Sequence, residues 1–273
     1  MLLPRREPDL VEEARSTTRR VARTFAIACR LLPRDLRDDV YLLYLVFRTL
    51  DDLVDFGDPD AEEHVAAVES WCGGTALART RETRILADLD GRHPLPRHAV
   101  LDFCAGMRDD LELRTMFSEE DVDRYCYRVA GTVGLTMAAL LGTREPADEA
   151  AASLGMAMQR TNILRDIDED LANGRTYLAR ETVQRFGAPA PGRREHLMRD
   201  QIARADALYE VGCAGIPKLV HGRRAISAAA GMYREILRQI ERDGYGAHPG
   251  RAVVHGRRTV SYTHLTLPTT PYV

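Results

Sequence analysis

Hydrophobic residues recur at the three- and four-residue spacing of helices over most of the chain, and no segment shows sustained alternation with hairpin turns. No repeat of fixed period is present. The predicted helices cover about 33–56, 59–72, 119–141, 146–172, 193–214 and 216–242. This pattern predicts a single all-α domain.

Several helix ends carry recognisable capping residues. Asp58 before Pro59 is typical of a helix start, because proline suits the first helical position. Ser118 and Asp121 have the spacing of a capping box. The pair Asn173-Gly174 is expected to end the helix that Pro146 begins.

Composition narrows the range of functions. The chain has 273 residues, 45% of them hydrophobic, and a net charge of −3, which gives no sign of a nucleic-acid partner. Five scattered cysteines without a C-x-x-C pair favour free thiols in a reducing compartment. No apolar run approaches the roughly 18 residues of a membrane span, and the first residues lack a signal-peptide core. We therefore expect a cytoplasmic protein, with contact to the inner face of the membrane left open, since an apolar substrate does not show in net charge.

The end of the sequence differs from the rest. Residues 260–269 read VSYTHLTLPT and resemble the translated read-through of a sequencing-library adapter. We expect residues 260–273 to be a non-native tail that replaces the true C-terminus, and residues 1–259 to be the domain. A natural tail rich in threonine and proline is the alternative.

Two acidic motifs carry the candidate chemistry. Asp51 and Asp55 are four residues apart, so on a helix they share a face, which Tyr44 and Arg48 extend. In the second motif Gln159, Asn162, Asp166 and Asp170 follow one another at steps of three, four and four. Each motif therefore predicts one polar stripe ending in two carboxylates.

The surroundings of both motifs are apolar, and carboxylates placed there need a counter-charge. Carboxylate pairs facing each other suit Mg²⁺, which joins protein carboxylates to phosphate oxygens. The alternative is a pair of exposed acidic helices balanced by arginines. A calcium loop starting at Asp166 is excluded, because Leu171 and Tyr177 stand where Gly and Glu are needed. Zinc is not indicated, because the His and Cys residues lack ligand spacing.

The other acids of the two motifs fall off these stripes. Asp52, Asp168 and Glu169 lie about 100° per residue away from the ligand positions. We expect them to be solvated, to form hydrogen bonds that support the metal ligands from behind, or to pair with Arg160 and Arg165.

With these motifs the sequence resembles the squalene/phytoene synthase family over about 17–254. The resemblance rests on six blocks in order: Thr24-Phe25 with RLLPRDLRDDVYLLY, DDLVD, GMRDDLE, YCYRVAGTVG, QRTNILRDIDEDLANGRTYL and MYREILRQIERDGY. It implies an isoprenoid-synthase-type bundle of α-helices around a central cavity.

The resemblance also implies roles for single residues. The metal ligands would be Asp51, Asp55, Asn162, Asp166 and Asp170. The substrate diphosphates would be bound by or lie near Arg23, Thr24, Tyr44, Arg48, Gln159, Arg165, Arg175 and Tyr177. Tyr125 would lie at the reaction centre, to steer the reaction or accept a proton, with released diphosphate as the alternative base. The prenyl chains would lie against Val129, Ala130, Gly131 and Gly134.

Three positions depart from the family pattern. Ala22 stands where a serine is frequent, Ala105 where an acid is frequent, and Ala179 where proline is usual. None of these removes a metal ligand, but Ala22 removes a hydroxyl that would contact diphosphate.

The implied activity is the Mg²⁺-dependent head-to-head condensation of two prenyl diphosphates, with Mn²⁺ as an alternative ion. Two geranylgeranyl diphosphates would give phytoene through a cyclopropylcarbinyl diphosphate, and no NADPH is expected. The alternatives are squalene or dehydrosqualene formation from farnesyl diphosphate, a non-catalytic helical protein, and a terpene cyclase. We expect a monomer that binds prenyl diphosphates, and peripheral contact with a membrane for product release stays open.

Overall fold

The computed structural model describes residues 8–112 and 114–254, and these form α-helices without a β-strand, as predicted. The helices are α1 (Pro8–Val21), α2 (Arg23–Cys29), α3 (Arg34–Asp55), α4 (Ala61–Cys72), α5 (Arg81–Asp90), α6 (Arg97–Leu111), α7 (Glu119–Cys126), α8 (Thr132–Leu141), α9 (Asp148–Ala172), α10 (Arg180–Phe186), α11 (Glu195–Gly215) and α12 (Arg223–Arg242). A π-helical turn, Tyr127–Gly131, joins α7 to α8. The predicted non-native tail at 260–273 lies outside the described residues.

Three predicted helix starts were wrong. Helix α9 begins at Asp148 rather than at Pro146, with Ala147 at the N-cap position. Helix α4 begins at Ala61, since the carboxylate of Asp58 accepts the backbone N–H of Asp60 at 2.9 Å and holds a turn before the helix. Helix α12 begins at Arg223, because Gly222 has a φ of 75° and separates it from a short 3₁₀ turn. The capping box is confirmed: Ser118 and Asp121 each accept a hydrogen bond from the other's backbone N–H.

Two hydrophobic cores organise the bundle. The first is built mainly from α3, α4, α5, α6 and the end of α8. The second is built mainly from α7, α9, α11 and α12. The first acidic motif ends α3 and the second lies on α9, so each core supplies one motif.

Two glycines allow helix α9 to pack closely against α8 and against the turn that precedes α8. A Cβ on Gly134 would lie 2.1 Å from the carbonyl oxygen of Ala151, and a Cβ on Gly155 would lie 2.1 Å from that of Ala130. Any side chain at either position would force the backbones apart. This contact fixes the turn that carries Val129 and Ala130 against the helix that carries the second acidic motif.

Candidate active site

The first acidic motif occupies the C-terminal end of α3. The guanidinium of Arg48 donates to Asp51 at 2.8 Å and also pairs with Asp52. Burial raises the pKa of Asp51 to about 6, with the charge of Asp55 adding to the rise and Arg48 opposing it. The three aspartates of this motif therefore concentrate negative charge that Arg48 does not fully balance.

The second motif presents one face of α9, as its spacing predicts. Asn162 donates from its amide nitrogen to Gln159 at 3.3 Å, while its buried Oδ1 has no hydrogen-bond partner. Asp170 has no basic partner within 4 Å among the described residues. Burial raises the pKa of Asp170 to about 6, and the charges of Asp166 and Glu169 add to the rise.

The fold brings the two motifs together. Arg175, which follows α9, donates to the carboxylate of Asp55 at the end of α3 at 2.6 Å. The charge of Asp55 also contributes to the raised pKa of Asp170, and Arg175 opposes that rise. Residues more than a hundred positions apart thus share one electrostatic environment.

Asp166 is held by arginines from two directions. Arg165 donates to it from Nε at 2.9 Å, and Arg251, from the segment after α12, reaches it from Nε at 2.8 Å. Tyr233 of α12 lies in the same environment: burial raises its pKa, Asp166 adds to the rise, and Arg165 and Arg251 oppose it. Neither Tyr233 nor Arg251 is among the site residues predicted from the sequence.

A stacked tyrosine pair lies beside the first motif. The rings of Tyr125 and Tyr177 are 5.0 Å apart and nearly parallel, and the hydroxyl of Tyr125 donates to Asp110 at 3.2 Å. Burial raises the pKa of Tyr125 well above 10, and the charge of Asp110 adds to the rise. Burial also raises the pKa of Asp110 to about 7, with Asp55 and Asp51 contributing. Asp110 is a site residue that the sequence reading missed, although it lies in the block GMRDDLE.

Several half-buried apolar side chains pack against one or both cores. Val129 packs against both cores. Val133 and Met137 continue its face along α8 at four-residue steps. Met156 and Met158 of α9 are also half-buried and pack against the second core.

The small residues near α8 have two different roles. Ala130 is half-buried, like Val129. A side chain added at Gly131 or Gly134 would instead point at α9, towards Met156 and Ala151 respectively. The structure therefore explains Gly134 by helix packing, and this placement does not support the expectation that it makes room for a substrate.

Three of the expected diphosphate contacts lie on neighbouring helices, with Arg23 and Thr24 at the start of α2 and Tyr44 on α3. Tyr44 is half-buried and its ring lies 5.6 Å from that of Phe25. Arg23 is exposed and Thr24 is half-buried, and neither forms a hydrogen bond or ion pair with another side chain among the described residues. Ala22 caps α2 without a side-chain hydrogen bond, which is the local consequence of the absent serine.

The remaining acids follow the expectation only in part. Asp52 pairs with Arg48, and Glu169 is exposed. Asp168 does not form the pair with Arg160 or Arg165 that was one of the alternatives, and instead binds Arg194 at 2.6 Å. Arg160 turns the other way and joins a buried network with Glu119, Asp123 and Gln201.

The donor set fits a hard divalent cation. Among the described residues no group of three or more His, Cys, Asp or Glu side chains could hold a metal ion alone. Two facing aspartate pairs and the unpartnered Oδ1 of Asn162 are nevertheless the oxygen donors that Mg²⁺ uses when substrate phosphates complete its coordination. No helix of the described part is long and apolar enough to cross a membrane.

Comparison with known proteins gives consistent results. The family model described as squalene/phytoene synthase matches residues 18–258. A phytoene synthase from Thermus thermophilus is 37% identical over 238 residues, covering 81% of this chain and 80% of the relative. A 15-cis-phytoene synthase from Synechococcus elongatus is 34% identical over 270 residues, covering 89% and 87%.

Solved structures extend the comparison to the fold. A dehydrosqualene synthase in complex with a ligand superposes with a TM-score of 0.85 at 28% identity, covering 94% of this chain and 95% of that one. A squalene synthase from Alicyclobacillus acidocaldarius superposes with a TM-score of 0.76 at 25% identity, covering 88% and 96%.

Proposed function

Because the chain belongs to the squalene/phytoene synthase family and is a prenyltransferase that condenses two prenyl diphosphates head to head, we propose that its product is phytoene. The substrates would then be two molecules of geranylgeranyl diphosphate. The relatives named phytoene synthase, which match most of both chains, carry this assignment. Squalene or dehydrosqualene formation is the second candidate, supported by the structural similarity to a dehydrosqualene synthase.

The two facing acidic motifs are the proposed site of diphosphate departure. Asp51, Asp55, Asn162, Asp166 and Asp170 would hold Mg²⁺, which when bound neutralises the diphosphate and assists its departure. The raised pKa values of Asp51 and Asp170 and the unpartnered oxygen of Asn162 support this assignment, because each group lacks a sufficient positive partner.

The arginines around the motifs would orient the diphosphates. Arg48, Arg165 and Arg175 each already hold an acid of a motif, so their guanidinium groups lie where anionic oxygens would arrive. Arg23, Thr24, Tyr44, Gln159 and Tyr177 are proposed as further contacts from the surrounding elements. The apolar walls at Val129 and Ala130 would keep water from the allylic cation that remains after departure.

Tyr125 is proposed to steer the cation rather than to accept its proton. A phenol whose pKa is raised well above 10 keeps its proton at neutral pH, and that proton already points at Asp110. In the condensation, the double bond of one chain attacks C1 of the other as the first diphosphate leaves, and loss of a proton closes the cyclopropylcarbinyl diphosphate. Departure of the second diphosphate then gives a carbocation that rearranges, and loss of a second proton forms the central double bond. The final proton would pass to Asp110 or to released diphosphate.

The test is a paired-substrate assay with Mg²⁺. The recombinant protein given geranylgeranyl diphosphate should release a C40 hydrocarbon with a conjugated triene chromophore, and Asp51→Ala and Asp166→Ala should abolish this turnover while leaving the helical content unchanged. Reaction with farnesyl diphosphate alone would favour the second candidate. Near-normal turnover by either variant would overturn the metal-site assignment.

We also propose a cytoplasmic monomer that touches an anionic membrane surface. A pocket of about 440 Å³ opens at the N-terminal end of α3, lined by apolar residues such as Leu36, Leu140 and Val220. The pocket lies about 22 Å along α3 from the first acidic motif, since Leu36 precedes Asp51 by fifteen residues. The pocket is also lined by Asp35 and Asp39, and the segments 30–39, 142–145 and 217–224 beside it carry seven basic and four acidic residues, in a chain whose net charge is −3.

A further inference from the structure

A buried arginine that the proposed chemistry does not use lies behind the second acidic motif. The side chain of Arg194 is 2% exposed and donates to both carboxylate oxygens of Asp168, at 2.6 and 2.8 Å. The same two terminal nitrogens also reach the carbonyl oxygens of Pro189 and His248, at 3.2 and 3.4 Å, while the buried Nε has no hydrogen-bond partner. A buried ion pair of this kind is kept only where its geometry is well satisfied. It ties α9 to the segment that follows α12.

That segment, residues 244–251, is here called the C-terminal strap, and it is fastened at several points. Gly246 lies directly on the guanidinium of Arg194: its φ is 78°, and a Cβ there would be 2.2 Å from Nε. The backbone N–H of Gly250 donates to Asp168 at 2.8 Å. The ring of Tyr245 lies 3.8 Å beneath the guanidinium of Arg199.

The next residue after Gly250 enters the active site. Arg251 reaches Asp166 at 2.8 Å. Its neighbour Gly250 is held by Asp168, which lies two positions after Asp166 on α9. We propose that Asp168 and Arg194 are positioning residues: they hold the C-terminal strap so that Arg251 lies at Asp166. The inference rests on the proposed function, since it assigns these residues to the same diphosphate site.

The physical consequence concerns charge at the second motif. Arg165 and Arg251 together face the two oxygens of Asp166. If the strap is not fastened, the Arg251 side chain can leave, because among the described residues Asp166 is its only hydrogen-bonding or ion-pair partner. The site then loses one guanidinium that stands ready for an anionic ligand. Groups that hold a metal-binding side chain in place change metal affinity by about tenfold to a hundredfold when they are removed.

The experiment measures joint binding of Mg²⁺ and inorganic diphosphate by calorimetry. Arg251→Gln should weaken this binding about tenfold. Asp168→Asn, which removes the charge that Arg194 requires, and Gly246→Ala, which displaces the strap without removing any polar group, should weaken it to a similar extent. Combining either change with Arg251→Gln should add little, because all three act through one guanidinium.

The matched control is Asp206→Asn. The side chain of Asp206 is 20% exposed, as is that of Asp168, and it also binds arginines across two helices, Arg234 and Arg238, but away from the strap. The control should bind Mg²⁺ and diphosphate normally even if its melting temperature falls.

The outcomes separate the two levels of the proposal. Wild-type protein that fails to bind Mg²⁺ with diphosphate would overturn the proposed function itself. Wild-type binding with normal binding by Asp168→Asn and Gly246→Ala would overturn only the positioning role. Losses that add in full to that of Arg251→Gln, or an equal loss in the control, would also overturn it, since either result means general destabilisation.

Discussion

Metal binding at the acidic motifs should release protons in a pH-dependent way. Burial and neighbouring carboxylates raise the pKa of both Asp51 and Asp170 to about 6. A raised carboxyl pKa means that the group still carries a proton near pH 6, and a metal ligand must be deprotonated. Apparent Mg²⁺ affinity should therefore rise as the pH increases through 6, and level off once both groups are ionised.

The size of the effect follows from the two pKa values. At pH 6 each group is half protonated, so Mg²⁺ binding should displace about one proton in total. At pH 8 both groups are already ionised and the number should fall close to zero. Calorimetric titration with Mg²⁺ in two buffers of different ionisation enthalpy at each pH measures this number directly.

The control is the same pair of titrations at pH 8, where both groups are already ionised and the heat of Mg²⁺ binding should not depend on the buffer. Mg²⁺ binding by the wild type at pH 6 without any dependence on the buffer would refute the reasoning. It would mean that the two carboxylates either are ionised before the metal arrives or do not bind it.

Two further predictions concern packing and surface charge. Gly134→Ala should destabilise the fold by at least about 2 kcal/mol and lower the melting temperature by several degrees, because its Cβ would meet the carbonyl oxygen of Ala151 at 2.1 Å. The control is Gly73→Ala, whose Cβ would lie 3.4 Å from its nearest neighbour and should change the melting temperature little. Equal melting temperatures for the two variants would contradict the close contact at Gly134. Replacing Arg223 and Arg224 by serine should reduce co-sedimentation with phosphatidylglycerol vesicles by roughly tenfold or more. The exposed pair Arg180 and Arg185 serves as the control for charge alone, and an equal loss with both pairs would argue against a membrane-facing pocket.

Local spacing along the helices was enough to predict much of the site. The steps of three and four residues place Asn162, Asp166 and Asp170 on one face of α9, because the geometry of a helix fixes that relation without any tertiary contact. The same reasoning placed Asp51 and Asp55 together on α3. The capping box at Ser118 was predictable for the same local reason.

The roles of other residues could be predicted from the sequence only weakly or not at all. Asp110 lies in a block that was recognised, but nothing in its spacing relates it to Tyr125, whose hydroxyl it accepts. The glycine at 134 was interpreted as room for substrate, although it serves a contact with Ala151 on another helix. Net charge gave no hint of the basic segments around the pocket at Leu36, because an average over the chain cancels a local excess.

The sequence by itself determined the helical class, the two acidic faces and the family, since each depends on residues close together in the chain or on motifs in a fixed order. Only the tertiary structure decided which arginine meets which acid. Arg175 reaches Asp55, Arg194 reaches Asp168 and Arg251 reaches Asp166, across separations of 120, 26 and 85 residues. Such pairings depend on how helices pack and where the chain returns, and helical periodicity carries no information about either.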